Sequence, residues 1–121
     1  MREDPTTGGL RLFSDQNPDP EPASPNPERI VEGSPVASIR SFFESADERI
    51  SIGSWTCEPG RWKVQYDETE YCRILEGTGE VIAHDGQVLA IQPGSEFVIP
   101  SGFCGEWRVI TPITKRYVIL L

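Results

Sequence analysis

Five residues of this chain have types suited to binding or acid–base chemistry: Trp62, Tyr66, Glu70, Trp107 and Lys115. Glu70 shares strand parity with Cys72 and Ile74, so it points inward wherever Ile74 is core. A carboxylate taken out of water without a partner carries a heavy desolvation penalty. Glu70 therefore reads as a general acid/base or ligand anchor paired with a cation such as Lys115. The competing reading is a carboxylate at the mouth of the fold, bonded to Tyr66 or to water. Lys115 lies in an otherwise apolar segment, either as an anchor for a carboxylate or carbonyl or as a snorkelling edge residue. Trp62, Tyr66 and Trp107 are large rings at inferred inward positions, which serve either as plain core or as a wall for ligand stacking.

Other reactive side chains offer less. Cys57, Cys72 and Cys104 are an odd number without a C-x-x-C pair, and His84 is the single histidine, so a zinc-finger site is unavailable. Reduced thiols in a cytoplasmic protein are the economical reading. Ser-His-Asp and Cys-His catalysis would both need His84 to reach inward from its turn, and Cys104 has no histidine placed to activate it. Asp67 and Glu68, close to Glu70, fall in a loop between strands where acidic residues are ordinarily solvated. No glycine-rich loop before a helix is present to cradle phosphate.

The elements that must position these residues occupy about the last 85 residues of a 121-residue chain. Seven of the 11 prolines lie in residues 1–35, where proline at alternate positions forbids a helix and removes sheet donors. That acidic arm is expected to be extended or partly disordered, with Gly8 to Phe13 as the one stretch able to dock; the folded domain is expected over 36–121. Acidic residues number 19 against 11 basic ones, a net charge of -8, which argues against nucleic-acid backbones and anionic lipid as partners. No apolar run approaches the roughly 20 residues of a membrane span. The opening Met-Arg-Glu-Asp-Pro lacks the apolar core of a secretory signal, so a cytoplasmic location is expected.

From residue 50 the punctuation is that of an all-β chain. Trp62, Val64 and Tyr66 alternate with Arg61, Lys63 and Gln65, marking a strand with one buried face. Asp85-Gly86 between two apolar runs predicts a hairpin with a type I′ turn. Gly77-Thr78-Gly79 predicts the close of a strand, and Pro59-Gly60, Pro93-Gly94 and Pro100-Ser101-Gly102 predict turns. The segment from Val36 to Ala46 fits either a short helix or an extended edge. Seven or eight short strands at such spacing predict a sandwich or barrel.

Two of these turn-bearing segments resemble the paired motifs of the cupins. Glu70, six residues and Gly77 (EYCRILEG) resemble the end of the first motif; Gly94, five residues, Pro100, one residue and Gly102 (GSEFVIPSG) resemble the opening of the second. The tail GEWRVITPITKRYVILL, with Trp107, Lys115 and Tyr117, is similar to small single-domain cupins grouped with ureidoglycine aminohydrolase and the ethanolamine-utilisation cupins. The resemblance implies a double-stranded β-helix, the cupin jelly-roll barrel, over roughly Ile50 to Leu121. It also makes Trp107, just after the second motif's turn, the strongest pocket candidate among the rings.

The departures from that pattern are informative. Metal-binding cupins carry an H-x-H pair before the Glu and a third histidine after the second motif. Here the paired positions are Lys63 and Gln65, or Val64 and Tyr66, depending on a variable spacer, and the third is Gly105. Only Glu70 survives of four ligands, and one carboxylate cannot hold a divalent transition metal. The resulting expectation is a metal-free, cofactor-free cupin that binds a small nitrogen- or carboxylate-bearing metabolite between Trp62, Tyr66, Glu70, Trp107 and Lys115. The resemblance also implies two alternatives, an aminohydrolase-like or ethanolamine-utilisation-like enzyme and a non-catalytic structural dimer; a homodimer is expected in any case.

Overall fold

The computed structural model describes residues 9–121. Met1 to Gly8, which include the opening residues read above for a signal and the first residue of the docking stretch, lie outside the described residues. The strands are β1 (Glu21–Pro22), β2 (Ile30–Gly33), β3 (Ala37–Glu44), β4 (Ile50–Cys57), β5 (Gly60–Gln65), β6 (Thr69–Ala83), β7 (Val88–Ile91), β8 (Glu96–Ile99) and β9 (Cys104–Leu120). The only helical turns among the described residues are two 3-10 turns, Phe13–Asp15 and Pro27–Arg29. The protein is all-β, and its sheet curls into the jelly-roll barrel.

Strand β9 is the spine. Its first half pairs with β5 and its second half with β4, while β6 runs antiparallel along almost its whole length. The hydrogen-bonded order β1-β3-β4-β9-β5-β2 forms one wall. Strand β6, with β7 and β8 on its far edge, forms the other. Odd-numbered residues of β9 face inward on both sides of an exposed stretch at residues 110–112: Trp107, Val109, Ile113, Lys115 and Tyr117 are all buried. The core gathers Trp62, Ile74, Ile91, Ile99, Trp107 and Ile113 between the two walls. The two-residue period expected for Trp62, Val64 and Tyr66 is present in β5, with Trp62 buried and Lys63 and Gln65 exposed.

One open choice is decided and two local readings are corrected. The segment from Val36 to Ala46 is strand β3, because pairing with β4 from Ala37↔Cys57 to Glu44↔Ser51 satisfies its backbone groups, with a bulge between Ser41 and Phe43. Gly77-Thr78-Gly79 does not close a strand. Gly77 has φ 88°, and the β6–β9 register shifts from Ile74 to Gly79, so β6 bends through bulges and continues. The Asp85-Gly86 hairpin is in place, but only Gly86 has positive φ, at 94°. Ala83 O accepts from Gly86 N at 2.9 Å and Ala83 N donates to Gln87 O at 2.8 Å, the pattern of a type I turn followed by a left-handed glycine rather than type I′.

Residues 9–35 run along the barrel. Strand β1 pairs with β3 through Glu21↔Ile39 and Pro22↔Ser38, and β2 pairs with β5 through Ile30↔Trp62 to Gly33↔Gly60. Phe13 stacks on Phe42 with centroids 5.1 Å apart, and the Arg116 guanidinium lies over both rings. Pro35 is buried, its ring packed where a side chain on Gly60 would stand. The arm's strands thus extend this chain's own sheet at both edges.

Candidate ligand-binding cavity

The two turn-bearing segments meet at Tyr66. Its N–H donates to Phe103 O at 2.9 Å, and Gly102 N donates to Tyr66 O at 2.6 Å. Ser101 Oγ donates to Asp67 O at 2.7 Å, so the Pro100–Gly102 turn fixes the backbone just ahead of β6. Two residues into β6, Glu70 turns inward, followed on the same face by Cys72 and Ile74. On the neighbouring strand β9, Trp107, Lys115 and Tyr117 are buried and line the same interior. Trp62 and Trp107 are opposed residues of β5 and β9, and their rings stack at 6.4 Å and 11°.

These side chains surround a cavity of about 270 Å³. Trp62, Tyr66, Glu70, Trp107 and Lys115 all line it, with Trp55 and Tyr117 completing the aromatic wall. Lys115 Nζ stands 3.0 Å from Glu70 Oε2, and both residues are about 95% buried, at 4% and 5% exposure. The same ammonium lies over the rings of Trp55 at 4.6 Å and Trp107 at 4.4 Å. Trp107 Nε1 donates to Tyr66 Oη at 3.1 Å. Burial, followed by the Glu70 charge, pushes the Tyr66 hydroxyl far above its ordinary range, so it remains protonated beside that carboxylate. Burial likewise pushes the Cys57 and Cys72 thiols up to about 12, against a lowering from the Lys115 charge. Two polar pairs, Trp107–Tyr66 and Glu70–Lys115, therefore stand together in an otherwise apolar space.

Residues 44–117 match the family model for the EutQ-like cupin domain. The chain belongs to that family. No curated protein matches this EutQ-like cupin. Its fold is similar to that of the Clostridium difficile EutQ protein, at 21% identity and TM-score 0.64 over 72% of this chain and 64% of that one. A protein of unknown function from Pseudomonas syringae pv. tomato aligns at 20% identity and TM-score 0.76, over 83% of this chain and 43% of its own. A protein assigned as ethanolamine utilization protein Q from Salmonella typhimurium aligns at 15% identity and TM-score 0.64, over 87% and 98%. This chain thus spans less than two thirds of the Clostridium and Pseudomonas proteins, and at these identities the likeness shows the fold.

The geometry resolves which residues of this EutQ-like cupin stand at the histidine positions of metal-binding cupins. Val64 and Tyr66 line the cavity with Glu70, whereas Lys63 and Gln65 are exposed. A side chain at Gly105 would collide with the Ile82 carbonyl and the Phe103 ring, so the third position cannot carry a ligand without a backbone shift. Glu70 is already engaged by Lys115. Asp67 and Glu68 stay in their loop, and among the described residues no three His, Cys, Asp or Glu side chains are grouped to hold a metal. These residues do not fit a cupin metal centre. His84 is exposed at the β6–β7 turn and absent from the cavity wall. Cys104 is exposed, while Cys57 and Cys72 are buried. Among the described residues no helix is long and apolar enough to cross a membrane.

Sequence reasoning missed Trp55. In Ile50–Trp55 the isoleucines occupy even positions and suggest the opposite face, yet Gly53, Trp55 and Cys57 face the interior. The available signal was the small residues around it: Gly53 leaves room for Tyr117, whose hydroxyl lies where a Cβ would be. Ala23 and Pro25, from the arm, also line the cavity.

Proposed function

We propose that this chain is a metal-free cupin that binds a small nitrogen- or carboxylate-bearing metabolite in the barrel cavity. The observation that carries the reading is the Glu70–Lys115 pair at 3.0 Å, enclosed by indole rings in the cavity. A buried ion pair is a poor source of stability, since its desolvation offsets much of its attraction and apolar residues of equal volume fold as well. Its presence beside open volume therefore favours a binding role. The pair offers a carboxylate to a ligand nitrogen and an ammonium to a ligand carboxylate or carbonyl, while Trp55, Trp62 and Trp107 supply faces for a planar body. The ammonium of Lys115 balances the Glu70 charge, the task a metal performs in histidine-bearing cupins.

The reading includes a homodimer and a cytoplasmic location. Native mass spectrometry and elemental analysis of the purified protein test its main claim. An organic adduct lost on Lys115→Met, without stoichiometric manganese, iron or zinc, is the expected result; a stoichiometric metal overturns it. The buried Glu70–Lys115 pair, with Tyr66 in the same cavity wall, favours one second reading, a metabolic enzyme of the ethanolamine-utilisation or ureidoglycine aminohydrolase kind in which Glu70 moves a proton. Turnover of an amine or ureido substrate that is lost on Glu70→Gln would select it.

A further inference from the structure

The segment from Ala23 to Arg29 joins β1 at one edge of the six-stranded wall to β2 at the other. It crosses the open side of the barrel, where Ala23 and Pro25 line the cavity together with Trp55, Trp62, Trp107 and Lys115. Pro25 also lines a neighbouring groove of about 370 Å³ with Arg29, Lys63, Gln65 and Glu68. Trp62, Val64 and Tyr66 are common to both spaces, so Pro25 stands where they would otherwise merge.

The crossing is held at defined points. Ser24 Oγ accepts from Ala37 N at 2.9 Å, and Ala23 N donates to Ala37 O at 2.9 Å. At the far end Asn26 Oδ1 accepts from Glu28 N at 3.0 Å, with Pro27 opening the 3-10 turn that leads into β2. Pro22, Pro25 and Pro27 restrict the backbone in between, which limits the number of lifted conformations.

We propose that this strap is part of the ligand site: Ala23 and Pro25 are its size-determining wall, and ligands enter when the strap lifts from the β3 edge. The inference rests on the cavity being the binding site, but its test needs no ligand. All three tryptophans of the chain line the cavity, so their fluorescence reports access to it. The experiment is acrylamide quenching of the full-length, ligand-free protein and of Pro25→Gly, Ser24→Ala and, as a control in the β7–β8 turn, Pro93→Gly.

Replacing a proline by glycine enlarges the set of open conformations, so the population of the lifted strap rises about two- to fivefold in Pro25→Gly. The quenching constant is expected to rise by that factor, and to rise in Ser24→Ala, while Pro93→Gly stays at the wild-type value. Pro25 and Ser24 lie outside the packed core, so both variants keep the barrel and give a reading. Wild-type quenching in both strap variants, or an equal rise in Pro93→Gly, overturns the proposal. Either result leaves the binding reading standing, because that reading is decided separately by co-purifying mass.

Discussion

The Lys115 ammonium is held by one carboxylate and two indole faces, with water largely excluded. Lys115→Met removes the cation but leaves Glu70 charged and buried, and is expected to cost about 3–5 kcal/mol in urea unfolding. The double variant Glu70→Gln/Lys115→Met leaves no orphaned charge, so it is expected to be more stable than that single variant; a double variant that loses the sum of the two singles would show that the groups do not act as a pair. The thiols give a second residue-scale prediction. Folding raises Cys57 and Cys72 from 9.0 to about 12, so above pH 9 the unfolded chain releases protons that the folded chain keeps. Stability then falls as pH rises from 9 toward 12, by about 1.4 kcal/mol per pH unit for each thiol. Denaturant melts across that window check the slope, and a rise in stability there would contradict the burial. At neutral pH a thiol reagent is expected to titrate Cys104 alone until the protein unfolds.

At the scale of elements, the bulged middle of β6 sets the barrel's curvature. Gly77 has φ 88°, and a Cβ there would strike the Pro112 carbonyl, whereas Gly86 has φ 94° with open space around it. Gly77→Ala is therefore expected to cost about 3 kcal/mol, from strain plus backbone collision, and Gly86→Ala only about 1 kcal/mol from strain. Equal shifts of the two variants in thermal melts would mean that the close β6–β9 approach is not tight. Trp62, Tyr66 and Glu70 were legible because a two-residue period assigns a face without knowledge of the partner strand. The bulge in β6 was not, since a glycine with positive φ reads alike whether the chain reverses or only bends. Trp55 was hidden for a related reason: the isoleucines of β4 outweigh a face built from Gly53 and Cys57. Lys115 was legible as an anomaly, a charge in an apolar strand, yet its pairing with Glu70 depends on the β6–β9 register, which local sequence does not encode.

For the whole molecule, the proline-rich arm bears on assembly as well as on the cavity. Strands β1 and β2 cover parts of the outer edges of β3 and β5, which would otherwise present unpaired backbone groups. Composition alone marked this arm as extended, because a few pairings at sheet edges leave no periodic signal among prolines. Acidic residues outnumber basic ones by seven to three within residues 1–33, so the arm also carries half of the net charge of -8. A chain beginning at Ser34 would lose edge cover and electrostatic repulsion together, and both losses favour strand-to-strand association. Light scattering on eluting protein is expected to show one mass for the full chain at all concentrations, and a mass that climbs with concentration for the shortened chain. Restoring negative charge on the shortened chain's exposed surface separates the two causes. If association persists at matched charge, the uncovered edges of β3 and β5 drive it; if it vanishes, the arm keeps copies apart by repulsion and its strands serve the cavity instead.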